Sequence, residues 1–377
     1  MAEFDVLIAG AGPAGCAAAV ALADFAPKLT LCLVDAAAAD AARIGETVPP
    51  PIKPMLEHLG LWPAFTDDGH GASYRTLSAW GAPQLVSNEF LFQTQQIGWR
   101  LDRARFDAMM LRTAKARATH VTGKVTRLTF ADGAWRVCLG DGATHTARFA
   151  VDATGRAAAL ARLCGLRPTR LDRLVGCFMY FDDPAAGDRE LIIEASRHGW
   201  WYTAALPAGH RVAAFMTDAD LARGLEIGRP EPWLREFHET DHIAACAARA
   251  RPLGPLRLHG AGSQILTDDA AQPMLGIGDA VSCFDPISGQ GIVKALRSAI
   301  FASYAIGDWL ERDDPGGLQR YRTFIKAEFA AYRRTLHEYY ASEQRWPASA
   351  FWQRRHAPST LPRDRQAASA LVATTPL

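Results

Sequence analysis

The chain has 377 residues, of which 49% are hydrophobic, and a formal net charge of +1. That length supports a large core and two domains, at ~100–200 residues each. The near-zero charge leaves no electrostatic footprint for nucleic acid or an anionic membrane surface, so neither is expected as a partner.

Asp5 to Ala9 is an apolar run that reads as a buried strand. It leads into Gly10-Ala11-Gly12-Pro13-Ala14-Gly15, and Cys16 to Asp24 then reads as a helix. Gly10 permits the tight turn, Gly12 lets the backbone approach a pyrophosphate, and Gly15 lets helix and strand pack closely. The helix N-terminus offers free N–H groups and partial positive charge to phosphates. A second strand, Leu29 to Val34, ends in Asp35, placed to accept hydrogen bonds from a ribose. Strand, glycines, helix and acid in this order form a dinucleotide-binding fingerprint.

Ile52 to Leu59 reads as a helix that Glu46 or Thr47 could cap. Leu101 to Asp107 carries two arginines, Arg103 and Arg105. Val121 to Asp152 reads as a β-meander with turns at Asp132-Gly133 and Asp141-Gly142, ending near Ala153-Thr154-Gly155. Four strands follow, at Val175–Phe181, Glu190–Glu194, Trp200–Leu206 and Val212–Thr217. They predict one antiparallel sheet, with Pro230 to Arg249 as a helix laid on it. Pro273 to Asp279 reads as a strand closing on Gly278-Asp279. Asp285-Pro286-Ile287-Ser288-Gly289-Gln290-Gly291 then opens a helix to about Leu310. Leu318, Tyr321, Ile325, Phe329, Tyr332, Leu336 and Tyr339 recur at helical spacing and predict a long amphipathic helix. The aromatic and basic tail beyond it reads as packing rather than as a lid or partner surface.

The first strand begins within a few residues of Met1 and no apolar run is long enough to span a bilayer. A soluble, cytoplasmic protein without a signal peptide is therefore expected. Seven cysteines form no CxxC pair or Cys/His cluster, so neither metal nor disulfide is expected. Cys283 reads as small hydrophobic filler.

The two glycine motifs together, with the segments between them, resemble the FAD-dependent monooxygenases of the para-hydroxybenzoate hydroxylase type and the related flavin-dependent tryptophan halogenases. The resemblance implies an α/β fold with a Rossmann-like FAD-binding domain of the glutathione-reductase type. It places that domain at 1–75, 101–164 and 268–315, an antiparallel-sheet substrate domain at 76–100 and 165–267, and a helical segment at 316–377. It assigns FAD to Gly10, Gly12, Pro13, Ala14, Gly15, Asp35, Arg43, Arg103 (with Arg105 as rival), Gly278, Asp279, Pro286, Gly289, Gln290 and Gly291. Asp279 would meet the ribityl chain, and the loop Arg43 to Thr47 would cover the flavin.

Within this group, Gly45 to Pro50, His198 to Tyr202, Phe215 to Asp220 and the Arg345-Trp346-Pro347 tail look closest to flavoproteins that mature tryptophylquinone enzymes. The implied reaction is hydroxylation of an electron-rich aromatic ring through a C4a-hydroperoxyflavin, with O2 as co-substrate. The substrate would be a small molecule or a tryptophan on a partner polypeptide. Electrons would come from NAD(P)H, directly or through a flavin reductase. Thr154 stands where single-component hydroxylases carry the Asp of an Asp-Gly pair, which favours the separate reductase.

Trp200, Trp201, Tyr202 and Phe215 are candidates for an aromatic substrate wall, joined by Phe178 and Tyr180. Glu46, Glu194 and Tyr202 are the catalytic candidates, with His198 and His210 as further bases by location. The alternatives are a halogenase and a geranylgeranyl-reductase-like oxidoreductase. Against the first, Trp200 to Ala205 departs from the halogenase W-x-W-x-I-P, Gly71 to Thr76 lacks the halogenase lysine, and Ser288-Gly289-Gln290 replaces Glu-Ser-Thr. Against the second, the Trp/Tyr-rich wall suits a ring rather than a long lipid.

Overall fold

The computed structural model describes residues 2–36, 45–90, 96–184, 191–267 and 271–357. Two large sheets organise the chain. In the first, the strand Ala2–Ala9 pairs in parallel with Leu31–Asp35 on one side and Thr144–Asp152 on the other. Thr119–Thr122 extends it at one end; the meander strands Ala134–Leu139 and Val125–Ala131 extend it at the other, and Met274–Gly276 pairs with Thr144–Asp152. Val6, Leu7, Ile8 and Leu31 to Val34 are buried, as strands covered on both faces require. The helices Pro13–Phe25 and Gly291–Arg312 pack on this sheet as part of one core.

The second sheet runs in the order Arg251–Gly260, Leu174–Asp182, His210–Asp218, Gly199–Leu206, Leu191–Ser196, Arg75–Ala79 and Val86–Glu89. The four strands expected from periodicity are present, but three more join them and the sheet is mixed: Leu191–Ser196 pairs in parallel with Arg75–Ala79. The strand Arg251–Gly260 contains Pro252 and Pro255, which mask it in sequence; both are tolerated because it lies at the sheet edge.

Side chains alternate across this sheet. One face gathers Phe178, Trp200, Ala214 and Met216 against Phe284 and the C-terminal helices. The other gathers Cys177, Phe181, Trp201 and Phe215 against Trp233 and Phe237. The helix expected over 230–249 is two helices, Pro230–His238 and His242–Cys246. The break follows from Glu194, whose buried carboxylate accepts hydrogen bonds from the backbone N–H groups of Asp241 (2.8 Å), His242 (3.0 Å) and Ile243 (3.0 Å). Three donors freed at a helix start are thereby satisfied.

The long helix Gly316–Ala341 spans both cores. Its first half buries Leu318, Tyr321 and Ile325 against the parallel-sheet core. Its second half buries Phe329, Tyr332, Leu336 and Tyr340 against the second sheet. The short helix Ala350–His356 follows, with Phe351 and Trp352 fully buried. Arg354 and Arg355 pair with Asp218 at 2.7 and 2.8 Å, fixing the tail to the sheet.

Glu194→Ala should lower stability by about 1–3 kcal/mol, since three buried N–H groups lose their acceptor, and leave turnover per folded molecule unchanged. Denaturant melts with steady-state rates check this; a normal melt with lost turnover would place Glu194 in the chemistry.

Candidate active site

The N-terminal glycines sit where the sequence demands them. Gly10 has φ +106°, and a Cβ there would stand 2.3 Å from the carbonyl oxygen of Ala153. A Cβ on Gly15 would stand 1.8 Å from the oxygen of Gly10. Gly12, the N-cap of the helix Pro13–Phe25, faces open space instead. Pro13 begins that helix and Ala14 is buried in its first turn. Asp35 ends its strand half-buried. Gly278 lies close by, since a Cβ on it would meet the Ala14 Cβ at 2.8 Å. Asp279 follows in a 3-10 turn and keeps 43% of its side chain exposed.

Pro286 opens the 3-10 turn Pro286–Ser288. Gly289, Gln290 and Gly291 are exposed at the start of the helix Gly291–Arg312. A Cβ on Gly289 or on Gly291 would meet no atom within 4 Å, so both backbones face open space. Neither helix N-terminus is blocked by a side chain at these glycines, and Gly278 packs against Ala14, as an anionic dinucleotide held by both ends needs. These residues fit FAD.

Arg43 lies outside the described residues. Of the two arginines, Arg103 turns into the cleft: its Nη1 lies 3.1 Å from where a Gly45 Cβ would be, and its Nη2 bonds Asp107 at 3.1 Å. Arg105 points away to the Asp68 carbonyl and is 65% exposed. Thr154 is occupied in the fold; its hydroxyl donates to Asp152 (2.6 Å) and accepts from the Ala159 N–H (2.6 Å).

The catalytic candidates separate. Glu46 is buried, and its carboxylate accepts from the Tyr180 hydroxyl (2.7 Å) and the Gly45 N–H (2.9 Å). Burial holds its pKa above the ordinary glutamate value, against the opposing pull of these bonds and of Arg103. Tyr202 shares that face; burial first, then the charge of Glu46, pushes its phenol far up. Glu194 lies on the far face as a helix cap, so it is corrected from base to structural acceptor. His198 and His210 sit at hairpin ends, the former in the turn before Gly199–Leu206 and the latter opening His210–Asp218.

The expected aromatic wall also divides. Trp200 and Tyr202 belong to the cleft-side cluster, with Phe178 and Tyr180. Trp201 and Phe215 stack on each other at 4.6 Å on the opposite face, beneath Trp233. Strand alternation makes this unavoidable, and both are fully buried there, so they line no pocket on the cleft side.

A cavity of about 360 Å³ lies between the Pro286–Gly291 loop and the helix Gly316–Ala341. Phe284, Ile287, Tyr332, Leu336 and Tyr339 form its apolar wall, with Ser288, Gln290 and Thr335 among the polar groups. Glu328 is the charged residue lining it, paired with Arg297.

A buried network that no local sequence pattern announces ties this loop down. The Trp200 indole N–H donates to the Tyr340 hydroxyl (2.8 Å), which donates to Asp285 (2.9 Å). Tyr332 accepts from the Asp285 backbone N–H at 2.6 Å. Burial raises the Asp285 carboxyl to about 6. Cys283 is buried with its thiol raised to about 12, which keeps it unreactive.

Against the curated proteins, the chain is 31% identical over 371 residues to LodB of Marinomonas mediterranea, named as an FAD-dependent oxidoreductase; the match covers 96% of this chain and 99% of that protein. The chain belongs to this FAD-dependent oxidoreductase family. It is thus an oxidoreductase with FAD as its cofactor. The tryptophan halogenase family model matches residues 5–75. Among solved structures, the flavin-dependent halogenase CmlS superposes with TM-score 0.85 at 21% identity, covering 97% of this chain and 69% of that one. QhpG, a peptidyl tryptophan dihydroxylase essential for tryptophylquinone cofactor biogenesis, superposes with TM-score 0.72 at 24% identity, covering 96% and 80%. Both establish the shared Rossmann-type flavoprotein fold. Among the described residues, no helix of this oxidoreductase is long and apolar enough to cross a membrane, and no cluster of His, Cys, Asp or Glu could hold a metal.

Two tests follow. Gly15→Ala should yield protein without bound FAD, read from the flavin absorbance of the purified enzyme. For Asp285, the native pKa of about 6 exceeds the ~3.9 of an unfolded aspartate. The native state then holds the extra proton between those values, so wild-type stability falls as pH rises from about 4 to about 6. Thermal melts should show the gap between Asp285→Asn and wild type widening in favour of the variant across that interval and constant above it; a pH-independent gap would mean that Asp285 titrates normally.

Proposed function

We propose that this oxidoreductase is a monooxygenase that hydroxylates an electron-rich aromatic ring, and that the ring is a tryptophan side chain on a polypeptide during tryptophylquinone cofactor biogenesis. The cavity beside the flavin loop carries this reading. At about 360 Å³ it lies at the small end of ligand pockets, ~300–1,000 Å³. It suits one ring system and is too small for a long isoprenoid chain. Its wall is aromatic and aliphatic, and no Lys, Arg or His is among its lining residues. A free amino acid would bring a carboxylate with no cation among the lining residues to meet it, and Glu328, already paired with Arg297, is not free to take its ammonium. An indole within a peptide brings no such charge.

When bound, FAD supplies the activation of O2. The chain's own residues do the rest. The exposed N–H groups at Gly289 to Gly291 would offer partial positive charge to negative charge on the bound cofactor. Phe284, Tyr332, Leu336 and Tyr339 exclude water from the reacting ring. Glu46 does not line this cavity; made more basic by burial and hydrogen-bonded to Tyr180, it is the buried acid that this reading assigns to the proton the ring loses. The balance is one aromatic C–H, one O2, one NAD(P)H and one proton giving one phenolic C–OH, one water and one NAD(P)+. Because Thr154 is committed to the fold, a separate flavin reductase is the proposed electron source.

Halogenation is the second reading, favoured by the family-model match to residues 5–75. The residues oppose it. Tyr74 stands exposed in the segment where halogenases carry their lysine. Lys294, just beyond the flavin loop, is fully buried and bound to Asp279.

Intact-mass spectrometry decides. Protein, FAD, NAD(P)H and a flavin reductase are incubated with chloride or bromide, and either free tryptophan or a tryptophan-bearing polypeptide. Added oxygen on the polypeptide alone is expected, falling by roughly 10²-fold or more in Glu46→Gln. Oxygen on free tryptophan, or a halogen isotope pattern, would overturn the reading.

A further inference from the structure

Lys294 is a fully buried charge that the chemistry above leaves unused. It lies on the helix Gly291–Arg312 with its side chain 0% exposed, while its partner Asp279 is 43% exposed. Its Nζ bonds Asp279 Oδ1 at 2.8 Å, donates to the Ser282 carbonyl, and sits 5.0 Å from the Phe284 ring centroid. A lysine is rarely fully buried unless something specific requires its charge.

The position of Asp279 supplies the requirement. Its neighbour Gly278 lies against Ala14 of the first helix and, at 3.6 Å from a Cβ, against Ala295 of the second. Asp279 thus stands between two helix N-termini that attract anions. A bare carboxylate there would work against both, repelling the cofactor's phosphates. We propose that Lys294 is a resident counter-ion for the cofactor: it neutralises Asp279 so that this carboxylate accepts a hydrogen bond from a hydroxyl of FAD without repelling the anionic dinucleotide. Lys294 is in this sense a positioning residue. The inference rests on FAD binding, a property of the family, and stands apart from the choice of substrate.

The test is FAD affinity of the apo protein, by flavin fluorescence quenching, with apo thermal melts alongside. Lys294→Met should weaken FAD binding by roughly ten- to a hundredfold without lowering the apo melting temperature, because Asp279 can be solvated. Asp279→Asn should lower the apo melting temperature, because it leaves a buried cation without its partner. The double variant should bind FAD more tightly than Lys294→Met alone, since the unpaired carboxylate is gone. Unchanged affinity in Lys294→Met would overturn the proposal, as would equal weakness in the single and double variants, which would assign the loss to packing.

Discussion

A side chain on Gly15 would stand 1.8 Å from the Gly10 oxygen, and one on Gly278 would stand 2.8 Å from Ala14. These close approaches determine the rest of the cofactor cleft. They let the helix Pro13–Phe25 begin hard against its strand and let the helix Gly291–Arg312 come alongside it. The positive ends of both helices then lie near Gly278.

The second sheet places its chemistry through alternation. One face is committed to structure: Trp201 and Phe215 stack beneath Trp233, and Glu194 starts a helix. On the other, Tyr180 reaches Glu46, and Trp200 reaches Tyr340 of the helix Gly316–Ala341. A single strand, Gly199–Leu206, therefore serves the core and the cleft at consecutive residues.

Local signals make much of this legible in sequence. The glycine fingerprint, the meander, four strands of the second sheet and the long C-terminal helix each declare themselves within a short window. Alternation separates Trp201 from Trp200 and Tyr202, but which face meets the flavin depends on how the sheet docks. The Tyr180–Glu46 bond joins residues 134 apart, and the Asp285–Tyr340 bond joins residues 55 apart. No window contains such pairs. Lys294 is illegible for another reason: a lone lysine in a helix usually means a solvated face, and only packing shows that it is buried.

The helix Gly316–Ala341 has a consequence for how the protein comes into being. Its two halves complete two different cores, with Tyr321 in one and Tyr340 in the other. During synthesis, the strand Ala2–Ala9 and the whole second sheet emerge long before the residues that cover them. Apolar surface on both sheets therefore stays uncovered in the nascent chain until this helix, and Phe351 and Trp352 after it, have emerged. The same helix bridges both cores once made, so any movement of one sheet against the other would have to repack the side chains it buries in each.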